Sequence, residues 1–255
     1  MIVKVCGMRE QRNVDDVVAA GADWIGMIFW RRSPRCVGTA HINTPPGVTR
    51  VGVFVDEQPD TVARTAADRR LDIVQLHGAE TPAMIDDIRK ALDAVDTMNA
   101  TDGTGTTDDT HPARPRAHRR TRIMKVVSVA ATEDIDRWRN YDGRVDLLLF
   151  DTRCNTTGGS GRQFDWNALC RYDGRIPFLL SGGIGPGDAE RVRRVGHPAL
   201  LGVDLNSRFE TAPGTKDPIA LRTFINKIKK PDAEQRTGRE TDTPTTRHNL
   251  NVTHT

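Results

Sequence analysis

Eight short apolar runs recur along the chain at a nearly constant spacing, and this period restricts the possible folds more than any other feature. The runs begin near Ile2, Trp24, Arg50, Asp72, Arg122, Asp146, Ile176 and Leu200. Most are rich in aliphatic or β-branched residues and lack strict polar alternation, the pattern of parallel strands covered on both faces. Helical patterns lie between several of them. Asn13 is placed to cap Val14–Ala20, with Gly21 as a stop. Pro82 opens Ala83–Leu92, and Thr132 is placed to cap Glu133–Asn140. Pro186 opens a segment through Val195, and Asp217-Pro218 opens one ending in Lys227-Ile228-Lys229-Lys230, where cations suit the helix dipole. Strands alternating with helices imply a parallel sheet.

The intervals between strand starts are 22, 26, 22, 50, 24, 30 and 24 residues, so one is anomalous. It contains Thr97–Arg122, 26 residues with seven threonines and one large apolar residue, Met98. Taking 26 from 50 leaves 24 and restores the period. Such a segment has too little apolar surface to pack and reads as a disordered insertion. The tail after Lys230 has the same character. The expected organisation is a barrel domain over 1–230, interrupted by a low-complexity insertion at 97–121 and followed by a disordered tail at 231–255. About 204 residues then remain for eight βα units, the lower size limit of a (β/α)8 TIM barrel. The competing architecture, a doubly wound open sheet, lacks its glycine-rich turn after the first strand. In the second unit, Gly38–Gly47 contains Thr44-Pro45-Pro46-Gly47 and supports little helix.

Composition excludes other classes. No stretch approaches the roughly 18 apolar residues of a membrane span, and Met1–Cys6 has no basic segment leading into an apolar one. The four cysteines, Cys6, Cys36, Cys154 and Cys170, have no zinc-type spacing. The chain reads as cytoplasmic with reduced thiols. A net charge of +3 is weak for nucleic-acid binding, and the basic tract His111–Arg122 has no stacking aromatics beside it. It reads as a solvated insertion, with no nucleic-acid or membrane partner expected.

In a (β/α)8 barrel the active site lies at the C-terminal strand ends. Here the runs end in Cys6-Gly7, Gln75-Leu76-His77-Gly78, Asp151-Thr152, Ser181-Gly182-Gly183 and Asp204-Leu205-Asn206-Ser207, with Arg31-Arg32-Ser33-Pro34-Arg35 after the second. A thiol, arginines, a histidine, carboxylates and a glycine pair at one rim exceed what a structural barrel needs.

These stretches, with Val51-Gly52-Val53-Phe54-Val55, Gly158–Trp166 and Glu210–Asp217, run in order from residue 2 to about 230. They make the chain similar to the phosphoribosylanthranilate isomerases of tryptophan biosynthesis. The resemblance implies a (β/α)8 fold and an Amadori rearrangement of a sugar phosphate, in which the protonated imine is the electron sink and no metal or cofactor is needed. It implies Cys6 as general base and Asp151 as general acid. A free thiol is only a few per cent ionised at neutral pH, so the site is expected to lower its pKa, with Lys4 on the same strand face contributing. Asp151 is expected to be held protonated by desolvation or by nearby negative charge. Arg35 matches the residue that holds the anthranilate carboxylate, a task suited to a planar bidentate donor. Arg31 and Arg32 read as solvated loop charges.

His77 and Asp204 are candidate partners of the sugar hydroxyls, although a satisfied core histidine and a rim-ordering carboxylate are the plain alternatives. Gly182, Gly183, Asn206 and Ser207 are the candidate phosphate-binding residues. The family pattern Ser-Ser-Gly is replaced here by Asn206-Ser207-Arg208, so Arg208 stands where glycine is usual. Cys6 argues against a dual-substrate isomerase, whose pattern places an aspartate at that position. Monomer and homodimer are both compatible with the sequence.

Overall fold

The computed structural model describes residues 1–101, 120–152 and 163–230. The core of the insertion, the glycines at 158–161, Cys154 and the tail 231–255 lie outside the described residues. Eight parallel strands close into a barrel in sequence order: β1 (Ile2–Val5), β2 (Trp24–Ile28), β3 (Thr49–Phe54), β4 (Ile73–Leu76), β5 (Arg122–Val129), β6 (Leu147–Thr152), β7 (Phe178–Leu180) and β8 (Leu200–Leu205). The apolar period therefore corresponds to the strands of one closed sheet.

Two cores follow from side-chain alternation. Inside the barrel, Trp24, Val51, Ile73, Met124, Val126, Leu147, Leu149 and Leu179 form an apolar plug. Outside it, a larger core joins the other strand faces to the helices. At one side of this outer layer Tyr172 meets Trp138, Phe150 and Phe178 edge to face, with centroids 5.2–5.4 Å apart.

The outer layer contains α1 (Gln11–Ala19), α2 (Pro59–Asp68), α3 (Pro82–Thr101), α4 (Ala189–Arg193) and α5 (Pro218–Lys229), with 3₁₀ segments at Thr132–Tyr141, Trp166–Arg171, Pro186–Asp188 and Ser207–Phe209. Proline starts α2, α3 and α5 because its missing N–H costs nothing in a first turn. Asp217 caps α5 by accepting from Ile219 N and Ala220 N. No described helix is long and apolar enough to cross a membrane.

Three local expectations are corrected. Asn13 does not cap α1: the helix starts two residues earlier, and the Asn13 amide is buried, donating to Lys216 O and accepting from Lys216 N. Thr132 does not cap an α-helix either. That segment is 3₁₀, and Asp134 turns back to accept from Ala130 N and Ala131 N. Finally, α3 continues past Leu92 to Thr101, into the stretch assigned to the insertion. At the other end of that stretch Arg120 pairs with Asp93, and Thr121 N donates to Asp96 Oδ2. Both acceptors sit on α3, so Arg120 and Thr121 are tied to that helix by polar pairs.

The second connection contains no helix among the described residues, as the Thr44–Gly47 sequence suggested. It is held by Val37 N to Ile28 O at 2.9 Å and by Arg69 Nη1 to Ala40 O at 2.7 Å. After β8 the chain forms a short antiparallel hairpin, β9 (Glu210–Ala212) with β10 (Thr215–Lys216), before α5.

Candidate active site

The barrel mouth brings Cys6, Arg35, His77, Asp151 and Asp204 to the same end of the sheet, because every parallel strand delivers its C-terminal residues there. Lys4 and Asp204 are Cα partners in the β1–β8 ladder and point into the barrel. Lys4 Nζ donates to Asp204 Oδ1 at 2.8 Å, with both side chains buried. Asp204 is therefore engaged below the rim and does not lie open to solvent.

The Lys4 ammonium also reaches Cys6, two residues on and just past the end of β1. A small residue on β2 makes the room: a Cβ on Gly26 would stand 3.0 Å from Cys6 Sγ and 3.2 Å from Lys4 Nζ. Burial pushes the Cys6 thiol up, Lys4 and Lys216 draw it down, and Asp204 adds to the rise. The net direction is upward, so the expectation of a lowered thiol is corrected: desolvation outweighs the two ammonium groups. Burial likewise pushes the Asp204 carboxyl up, against the pull of Lys4.

Asp151, at the end of β6, faces His77 beyond β4, with Nε2 to Oδ2 at 3.4 Å. The carboxyl is 21% exposed and the imidazole 37%, so both remain accessible from the mouth. His77 Nδ1 lies 3.5 Å from the Gln75 amide, whose oxygen is buried without a hydrogen-bond partner among the described residues. The loop carrying His77 is fixed from behind by a buried ion pair. Lys125 Nζ donates to Glu80 Oε2 and Gly78 O, each at 2.8 Å, and to Leu76 O at 3.2 Å. Glu80 in turn accepts from Gly78 N and Asp56 N.

Arg35 is buried, while Arg31 and Arg32 are exposed as solvated loop charges. Its fork is occupied by Glu210: Nε donates to Oε1 at 2.8 Å and Nη2 to Oε2 at 2.7 Å. Glu210 also accepts from Lys216 Nζ at 2.6 Å and from Gly214 N at 3.0 Å. Lys216 Nζ donates in addition to Asn206 Oδ1 at 2.7 Å. Sequence reasoning assigned no role to Glu210 or Lys216. The available signal was their position in the Glu210–Asp217 stretch, which folds into the hairpin that makes them cross-strand partners.

Gly182 and Gly183 follow β7 with φ of +91° and +66°. A Cβ on Gly182 would come within 2.2 Å of Thr152 Oγ1. The turn therefore exposes bare backbone, and neither glycine N–H is hydrogen-bonded to a described residue. Across from it, Asn206 leads into the 3₁₀ turn Ser207–Phe209. Arg208 is exposed, and its stem packs over Gly185, where a Cβ would lie 3.6 Å from Arg208 Cβ.

A closed (β/α)8 barrel whose mouth joins a thiol over an ammonium, a carboxyl facing an imidazole and a double-glycine turn of bare backbone defines an acid–base enzyme of the TIM-barrel class. Comparison with known proteins narrows the class. The family model of N-(5′-phosphoribosyl)anthranilate isomerase matches residues 3–118 and 107–227. The chain is 40% identical over 245 residues to the N-(5′-phosphoribosyl)anthranilate isomerase of Parabacteroides distasonis, covering 94% of this chain and 97% of that one. It is similar to the crystal structure of phosphoribosyl anthranilate isomerase from Thermotoga maritima, with TM-score 0.68 and 31% identity over 90% of this chain and 99% of that chain. A further similar structure holds the enzyme in complex with reduced 1-(o-carboxyphenylamino)-1-deoxyribulose 5-phosphate, with TM-score 0.67 and 29% identity over 90% and 99% of the two chains. The chain belongs to the phosphoribosylanthranilate isomerase family, and its role is that of an isomerase of tryptophan biosynthesis.

Proposed function

We propose that the chain converts N-(5′-phosphoribosyl)anthranilate into 1-(2-carboxyphenylamino)-1-deoxyribulose 5-phosphate, with Asp151 as general acid and Cys6 as general base. The observation that carries this reading is the placement of the two groups at one mouth. Cys6 stands just past β1, over the Lys4 ammonium, and Asp151 on β6, three strands away around the closed barrel, faces His77. One proton donor and one proton acceptor on different sides of a cavity suit a reaction that adds a proton to one substrate atom and removes one from another.

Asp151 delivers its proton to the furanose ring oxygen, and the C1′–O bond breaks as the anilino nitrogen forms an iminium. Cys6, as thiolate, then takes the proton from C2′. The electrons of that C–H bond move into the C1′–C2′ bond and the iminium is neutralised, giving an enolamine that relaxes to the aminoketone. Arg35 receives the anthranilate carboxylate through Nη1, which makes no hydrogen bond to a described residue, while Glu210 fixes its other edge. His77 and Asp204 serve the sugar hydroxyls, Asp204 through the oxygen that Lys4 leaves free. Gly182, Gly183, Asn206 and Ser207 take the phosphate through backbone N–H groups, with Arg208 as an added cation at the edge.

The test is turnover of enzymatically generated substrate, followed by loss of anthranilate-type fluorescence. Cys6→Ser and Asp151→Asn should each lower kcat by at least about a hundredfold, the usual range of a lost proton-transfer group. Parent-like turnover in either variant would refute the corresponding role.

A further inference from the structure

The charges buried under the mouth do not balance. Lys4 and Asp204 neutralise each other at 2.8 Å. Beside them, Arg35 and Lys216 share a single carboxylate, Glu210, at 2.7 Å and 2.6 Å. The cluster therefore holds one positive charge in excess before Cys6 is considered. That excess lies against the residue that follows Cys6: Gly7 is covered so closely that a Cβ there would meet Arg35 Cδ at 2.9 Å and Asn206 Oδ1 at 3.0 Å. Asn206 Oδ1 is the same atom that accepts from Lys216 Nζ. Lys216 itself has no freedom to retreat, since its side chain is fully buried and Asn13 clamps its backbone on both sides.

We infer that Lys216 is a positioning residue of the reaction: anchored by Glu210 and Asn206, its ammonium supplies the uncompensated positive charge that offsets part of the burial of Cys6 and favours its thiolate. This rests on Cys6 being the base. Lys4 lies nearer the sulfur along the strand, but its charge is already met by Asp204, whereas the trio of Arg35, Lys216 and Glu210 keeps a net charge of +1 for an anion to meet. The groups facing Cys6 are thus Lys4 from its own strand, Asp204 from β8, Arg35 from the segment after β2, and Glu210 and Lys216 from the hairpin. Asp151 and His77 lie beyond Asp204 and act on it. Lys216 draws the thiol down, in agreement with the geometry.

The test is the pH dependence of Cys6 alkylation by iodoacetamide in the full chain, read peptide by peptide by mass spectrometry so that the other cysteines do not interfere. Lys216→Met removes the excess charge and should move the midpoint up by about one unit or more, the size expected for an opposite charge lost at close range. Alkylation at pH 7 then falls about tenfold. Glu210→Gln increases the excess and should move the midpoint down. A purely structural role would not produce shifts of opposite sign from two neighbouring, near-isosteric changes. An unmoved midpoint in Lys216→Met, or shifts of both variants in one direction, would overturn the inference. Should circular dichroism show Lys216→Met unfolded, Lys216→Gln and Glu210→Gln carry the same comparison. The assay is independent of turnover. An active Cys6→Ser would overturn the base assignment while leaving the charge coupling measurable, and an inactive Cys6→Ser with unmoved midpoints would overturn the coupling alone.

Discussion

Replacing Lys125 by methionine isolates the contribution of the ion pair behind the His77 loop. The ammonium is 2% exposed and the Glu80 carboxylate 1% exposed. Removing the ammonium leaves the carboxylate buried with only the Gly78 and Asp56 N–H groups, and strips the Leu76 and Gly78 carbonyls of a donor. Breaking a buried pair from one side costs about 3–5 kcal/mol. In a domain of this size each kcal/mol moves Tm by roughly 2–4 °C, so Lys125→Met should melt about 6–20 °C below the parent. Glu80→Gln alone should also destabilise, since it leaves the ammonium unpaired while an amide oxygen remains for Gly78 N. In the double variant both charges are gone, and part of the loss should return as a coupling energy of about 2 kcal/mol. Thermal and urea unfolding followed by circular dichroism measure all four corners of this cycle. A loss below about 1 kcal/mol in Lys125→Met, or strict additivity in the double variant, would refute the view that this pair holds the loop. Because the loop carries His77, the surviving folded fraction of Lys125→Met should show a larger change in KM than in kcat.

Two further outcomes follow from the mouth. Gly26→Ala places a methyl group against Cys6 Cα and Sγ, both 3.0 Å away, and Lys4 Nζ at 3.2 Å; the backbone atom cannot yield, so the thiol must move, and steady-state kinetics should show kcat reduced about ten- to a hundredfold. The Glu210 carboxyl is held below its ordinary value by Arg35 and Lys216 against the opposing effect of burial. In acid the unfolded chain therefore binds this proton first, so the stability from Glu210 is full above the ordinary carboxylate range and lost as pH falls through and below it. Melting scans between neutral pH and pH 3 should accordingly show a shallower acid-side decline in Glu210→Gln than in the parent, and an identical decline would contradict the assignment.

The strands were legible because parallel strands are buried on both faces and must be written as apolar runs; the spacing of those runs then carried the barrel. Helix starts at proline were legible for a similar reason, since proline at 82, 186 and 218 restricts the backbone whatever its surroundings. Asn13 and Thr132 misled because a short polar side chain can bond its own turn or a distant one, and the local sequence does not distinguish the two. In Asn13 the distant partner, Lys216, won. The candidate site divided along the same line. Cys6, His77, Asp151 and Asp204 terminate apolar runs, so their place at the mouth follows from the strand pattern alone. Glu210, Lys216, Lys125 and Glu80 end no apolar run, and the sequence pattern assigned them no role. Their burial depends on pairing, and the Arg35–Glu210 pair spans 175 residues of sequence, beyond the reach of any periodicity.

The buried charges also change how the overall charge of the chain should be read. A net charge of +3 over 255 residues says little about affinity for an anionic sugar phosphate. What matters is one unbalanced cation under the mouth, where low polarity makes a charge effective and costly at the same time. Burial holds Lys216 below its ordinary value even though Glu210 pulls the other way. The folded chain therefore bears a penalty for keeping this ammonium charged, full at neutral pH and relieved only as pH rises toward the ordinary lysine range. In the proposed roles, an anion at the mouth, either the Cys6 thiolate or a substrate carboxylate on Arg35, relieves the same penalty without deprotonation. The two anions then compete for one excess charge.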